Sequence, residues 1–137
     1  MAGVFPQDKI DAAIYDGGFL RLRLVSTDVV DPVAAVGKQL ADWAAAEHIA
    51  GVLVGADPGS TSAHPCEILI GQPSGEDLDI IGIITLVGYS WPVVEDVFRE
   101  IDRVLRLSSM TIDATGVGAP VCENLQMRGN VRAPVLA

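Results

Sequence analysis

The sequence predicts an α/β fold: a mixed sheet with the order β-β-β-α-β-α-β over residues 49–137, preceded by an α-β-α appendage over residues 1–48. Three observations predict it. Three apolar runs of strand length, Ile49–Ala56, Cys66–Ile70 and Ile80–Val87, follow one another with no helical pattern between them. An amphipathic stretch, Trp91–Leu107, comes next, and from there strand and helix alternate to the end. Finally, 137 residues, half apolar and one fifth charged, suffice for one buried core and are too apolar for a disordered chain.

Taken in order, Pro6 sits where a first helical residue belongs, before Ile10, Ala13 and Ile14, so a short helix is expected there. Asp16-Gly17-Gly18 is a turn. Phe19 to Val25 alternates apolar with basic residues, the period of a half-buried strand with Arg21 and Arg23 on its wet face. Asp31-Pro32 opens a helix to about Glu47, docked by Val36, Leu40 and Trp43. Ile49–Ala56 is apolar at both parities, as a strand buried centrally in a sheet must be. Hairpin-type links are expected to join it to Cys66–Ile70 and that strand to Ile80–Val87 as a meander of antiparallel neighbours, with an acidic Pro-Gly turn at Gln72–Asp79 between the last two. Trp91-Pro92 starts a helix whose apolar stripe is Val94, Val97, Phe98, Ile101, Val104 and Leu105. Met110–Ile112 is a fourth strand, Ala119-Pro120 starts a helix to about Arg128, and Val131–Leu136 is a fifth strand.

Charge and composition exclude several classes. Nine basic against eighteen acidic residues give −9, so a generally basic nucleic-acid surface is excluded. No basic residue occurs between Lys38 and Arg99, so phosphates held by that stretch would need a metal or another polypeptide. Two cysteines, Cys66 and Cys122, are too few for a disulfide scaffold and lack metal-site spacing; buried thiols in a reducing compartment are expected. The start MAGVFPQDKI has no leader pattern, and Ile80–Val87 is too short to span a membrane. The expectation is a cytoplasmic domain.

Two carboxylates stand out by position. Asp57 ends one apolar strand and enters a Pro-Gly turn; Asp113 ends another and enters a glycine-rich loop. On adjacent parallel strands both would emerge at the edge where open α/β sheets bind ligands. Two like charges there favour a hard divalent cation between them. The alternative is that each aspartate simply caps its own turn. His64 could ligate a metal or contact a phosphate, or be merely solvated. Glu67 could face either side of its sheet. Glu76, Asp77 and Asp79 read as a solvated cluster, Trp43 and Trp91 as packing. Gly116 and Gly118 suit either a phosphate approach or a tight strand-to-helix turn.

The order β-β-β-α-β-α-β is the ribonuclease H-like one. Gly55-Ala56-Asp57-Pro58-Gly59-Ser60-Thr61, followed by Ile112-Asp113-Ala114-Thr115-Gly116-Val117-Gly118-Ala119-Pro120, resembles the nuclease domain of phage terminase large subunits. The resemblance covers roughly residues 49–136, and the Phe5-Pro6 helix looks like the segment leading into such a domain. It implies a metal-dependent endonuclease that cuts DNA during viral packaging, with Asp57 and Asp113 as catalytic residues and ligands of Mg²⁺ or Mn²⁺. It also implies DNA as a weakly held partner, delivered with help from other packaging proteins, in the host-cell cytoplasm. The chain departs from the family in three ways. The family's third acid lies beyond the fifth strand, past Ala137; Ser62-Ala63-His64 stands where many relatives carry a further aspartate; and no ATPase phosphate loop occurs. The alternative expectation is a truncated, non-catalytic ribonuclease H-like module that binds a protein. An actin-like nucleotide site at Asp57–Thr61 would need a second phosphate loop and domain.

Overall fold

The computed structural model describes residues 18–59, 64–115, 118–127 and 131–137; the helix expected at Pro6 lies outside them. In chain order the described elements are β1 (Leu20–Val25), α1 (Pro32–Glu47), β2 (Leu53–Asp57), β3 (Cys66–Ser74), β4 (Asp77–Val87), α2 (Trp91–Leu105), β5 (Met110–Ile112), α3 (Ala119–Met127) and β6 (Val135–Leu136). The strands form a single mixed sheet in the order β1-β4-β3-β2-β5-β6. β2, β3 and β4 are an antiparallel meander, β5 and β6 run parallel to β2, and β1 pairs parallel with β4 at the far edge. The fold is therefore α/β. The described part of the N-terminal segment contributes a sheet strand and a helix that shares the core.

Each helix is bounded by local chemistry. Asp31 accepts a hydrogen bond from the Ala34 N–H (3.1 Å) and Pro32 occupies the first turn of α1. α1 ends where His48 turns left-handed (φ 55°). α2 stops at Leu105, two residues before the expected Leu107, because Arg106 is left-handed (φ 52°) and its N–H returns to the Asp102 carbonyl at 2.8 Å.

Strand boundaries differ more. The expected strand Ile49–Ala56 is trimmed to Leu53–Asp57, since Gly51 at φ +67° turns the chain just before it. Only Val54 of it is buried, Leu53, Gly55 and Ala56 are half-buried and Asp57 is exposed, so the run is not buried on both faces as expected. The Gln72–Asp79 turn shrinks to Gly75-Glu76: β3 and β4 run on to Ser74 and Asp77, with Gly75 (φ +63°) taking the first position of a two-residue hairpin. Val131–Leu136 keeps only Val135–Leu136 as strand.

One face of the sheet packs under the helices. Leu20, Leu22, Leu24, Val54, Ile68, Ile70, Ile84, Met110 and Ile112 are buried there with Trp43 and Phe98. The Trp43 indole N–H donates to the Gly18 carbonyl (2.9 Å), satisfying a polar group that the core would otherwise strand. The opposite face carries Arg21, Arg23, Glu67, Leu69, Thr85 and Thr111, exposed or half-buried. Among the described residues no helix is long and apolar enough to cross a membrane.

Candidate functional site

Register builds the site. β2 and β5 are parallel neighbours, Ala56 pairs with Ile112, and the Asp113 N–H donates to the Ala56 carbonyl at 2.8 Å. Asp57 and Asp113 therefore leave the sheet side by side at the same, carboxyl-terminal edge. Both follow the parity of Gly55 and Thr111, so both belong to the face without helices. Neighbouring strands are about 4.8 Å apart, so the two aspartates leave the sheet about one strand spacing from each other.

Each aspartate also organises its own turn. Asp57 Oδ1 accepts from the Gly59 N–H at 2.9 Å, and Gly59 is left-handed (φ +69°) with no room for a side chain against the His64–Pro65 backbone. Asp113 Oδ1 accepts from both the Thr115 N–H (3.0 Å) and the Thr115 hydroxyl (2.6 Å). The two sequence readings, capping and convergence, thus hold together. One oxygen of each carboxylate holds the turn. Oδ2 of each accepts nothing from the described residues. Gly118 closes the turn after β5: a β-carbon there would overlap the Asp113 carbonyl oxygen, while Pro58, in the loop after β2, is at ordinary contact distance. A cavity of about 460 Å³ lies beside Asp113, lined by Gly55, Thr111 and Thr115 among others.

The Thr115 bonds hold the Asp113 carboxyl below its ordinary value. A carboxylate with a depressed folded pKa contributes stability that is present above the unfolded value, near 3.8, and is lost as pH falls through the lower folded value. Carbon-detected NMR titration is expected to place the Asp113 midpoint below 3.8, and Thr115→Val to return it upward. An unchanged midpoint in Thr115→Val would remove the hydroxyl as the cause.

Glu67 is the residue that sequence reading left undecided. It pairs directly with Asp57, shares its face, and accepts from the Thr85 hydroxyl at 2.8 Å. The signal was present: Cys66, Ile68 and Ile70 are apolar at one parity, which assigns Glu67 to the other. Among the described residues, however, no three His, Cys, Asp or Glu side chains come close enough to hold a metal together. His64 is exposed at the entry to β3, beside the Gly59 turn. Ser60–Ala63, Gly116 and Val117 lie outside the described residues.

Cys66 faces the core rather than the site. Burial first, then the Asp57 and Glu67 charges, push its thiol up to about 12. Cys122 is buried too, and burial raises its thiol as well. Neither is expected to react with iodoacetamide at pH 8 in the folded protein, and both should react in urea; mass spectrometry of the alkylated chain checks this. Rapid native labelling of Cys66 would contradict its buried placement.

No family model, curated protein or solved structure matches the chain. The functional reading rests on the residues themselves.

Proposed function

We propose that this chain is a metal-dependent DNA endonuclease domain of the terminase type, ribonuclease H-like in fold, that cuts phosphodiester bonds during viral DNA packaging. One observation carries the reading: Asp57 and Asp113 end neighbouring parallel strands on one open face, each with an oxygen that no described residue uses. The sheet order supports it. A meander β2-β3-β4, with β5 and β6 added parallel on the far side of β2, is the ribonuclease H-like arrangement, to which β1 adds a further edge strand.

The donor set fits a hard cation, since both groups are carboxylate oxygens at the mouth of a sheet. Mg²⁺ or Mn²⁺ bound there would supply Lewis-acid activation of water and charge neutralisation at the phosphate. The chain's own residues do the positioning. The Gly59 N–H and the Thr115 N–H and hydroxyl each hold an Oδ1 and so fix the two carboxylates in their turns. With a net charge of −9, DNA affinity is weak and salt-sensitive, so other packaging proteins must present the DNA.

A second reading, a non-catalytic module of the same fold that binds a protein partner, is favoured by the set of only two converging acids among the described residues. Plasmid nicking in Mn²⁺ separates the two. Slow nicking, lost in both Asp57→Asn and Asp113→Asn, supports the nuclease. Nicking equal in all three proteins removes these aspartates from the reaction, and no nicking by any of them supports the module.

A further inference from the structure

Arg21 and Arg23 are exposed on β1, on the sheet face without helices, and neither forms an ion pair among the described residues. The other described Lys and Arg residues lie on the helix side. Lys38 belongs to α1, Arg99 and Arg103 to α2, Arg106 to its cap, and Arg132 to the segment bonded to α2. Arg99 and Arg103 are also paired with acids of their own helix, Asp96 and Glu100. Among the described residues, the open face therefore carries Lys or Arg only on β1, the strand that lies outside the ribonuclease H-like order.

Register ties these arginines to the two aspartates. Arg23 pairs with Thr85, Thr85 with Glu67 and Glu67 with Asp57, so the four form one row across the sheet, with Asp113 next in line on β5. The adjoining row is Arg21, Ile83, Leu69, Gly55 and Thr111, and it contains no acid. Three strand spacings separate Arg23 from Asp57, about 14 Å between their backbones. A DNA strand advances about 3.4 Å per nucleotide along its axis, so that span equals about four nucleotides. Glu67 is the acid between the two ends; its Oε2 accepts from the Thr85 hydroxyl at 2.8 Å, and its charge repels a backbone crossing there. The uncharged row offers the easier path. Gly55 presents no side chain on it, and a β-carbon there would meet nothing within 4 Å. Arg21 is positioned in advance: its guanidinium stands 5.3 Å from the centre of the Phe19 ring, a contact that orders the side chain at the mouth of this row.

We propose that Arg21 and Arg23 hold backbone phosphates of duplex DNA within about four nucleotides of the bond to be cut, so that the DNA crosses the open face from β1 to the aspartates, a placement that rests on the nuclease reading for where the cut lies. Charge complementarity selects the partner. The guanidinium groups meet phosphates at one end of the face, and a cation at the aspartates meets the scissile phosphate at the other. Such contacts position the strand and carry no base preference.

The test follows the fluorescence anisotropy of a labelled duplex of about 20 base pairs with the whole chain in Ca²⁺, from about 20 to 150 mM salt. Arg21→Gln and Arg23→Gln should each weaken binding about three- to tenfold and lower the salt slope by about one, and the double variant should lower it by about two. Arg106→Gln removes the same charge from an exposed position at the end of α2 and should change binding less than about twofold. In plasmid nicking the β1 variants should raise KM and leave kcat within about twofold of the parent, because a remote phosphate contact holds substrate and transition state alike. Equal weakening by Arg106→Gln would reduce the effect to net charge and overturn the proposal. So would unchanged binding in the double variant, or no binding by the parent at the lowest salt. DNA binding that depends on Arg21 and Arg23 in a parent that does not nick supports the surface and counts against the nuclease; nicking with an unchanged KM in the double variant does the reverse.

Discussion

Replacing Phe98 by alanine is expected to cost roughly 3–5 kcal/mol, the usual range for deleting a fully buried phenyl ring. Phe98 is 0% exposed and lies on the apolar stripe of α2, flanked by Val94, Val97, Ile101 and Leu105, all buried. The ring belongs to the buried core cluster shared by the helices and the sheet. Domains of this size have about 5–15 kcal/mol in total, so the change removes a large share of it. Urea and thermal unfolding should show it, with a fall in Tm on the order of 10–15 °C. Met127→Ala, at a side chain 82% exposed on α3, is the matched control and should stay within about 0.5 kcal/mol of the parent. A Phe98 variant as stable as that control would mean that α2 presents a different face to the sheet.

The helical stripe carrying that prediction was legible because apolar spacing and a leading proline are local properties, whereas the left-handed stop at Arg106 carried no sequence signal and the expected end fell at Leu107. Met110–Ile112 was equally legible, a short apolar run between turns. Boundaries went astray where pairing overrides composition. Gln72–Asp79 is polar and carries Pro and Gly, so it reads as loop, yet its ends pair across a two-residue hairpin and only Gly75-Glu76 turns. Val131–Leu136 reads as strand, but the Arg132 N–H is drawn to the Asp102 carboxylate and Pro134 has no N–H for a ladder. That long-range bond also explains why the burial of Asp102 left no sequence signal. It depends on a backbone segment thirty residues away arriving over α2. The paired aspartates differ in this respect. Each ends an apolar run, and once the strands are placed side by side their neighbourhood follows from parity alone.

The aspartates yield the other large effect, and the choice of substitution decides what it means. Asparagine retains a side-chain oxygen, so Asp57→Asn can still accept from the Gly59 N–H and Asp113→Asn from the Thr115 N–H and hydroxyl. The turns then survive, while the charge that would hold a cation is halved. Alanine removes both the turn bond and the charge. If the aspartates only cap turns, Mn²⁺ leaves Tm unchanged in every protein, and the alanine variants melt lower than the asparagine ones. If they share a cation, Mn²⁺ at a hundredfold excess over its Kd should raise the parent Tm by about 5–10 °C. The asparagine variants should lose that rise, and without metal Asp113→Asn should melt somewhat below the parent, because it gives up the charge that Thr115 stabilises. Affinity should be modest, since two carboxylates leave most of the coordination shell to water, and Mn²⁺ should bind at least as tightly as Mg²⁺. Differential scanning calorimetry with and without Mn²⁺, on the parent and all four variants, reads the outcome directly. A full Mn²⁺ rise persisting in Asp57→Asn and Asp113→Asn would place the cation elsewhere and end the case for these two residues as its ligands.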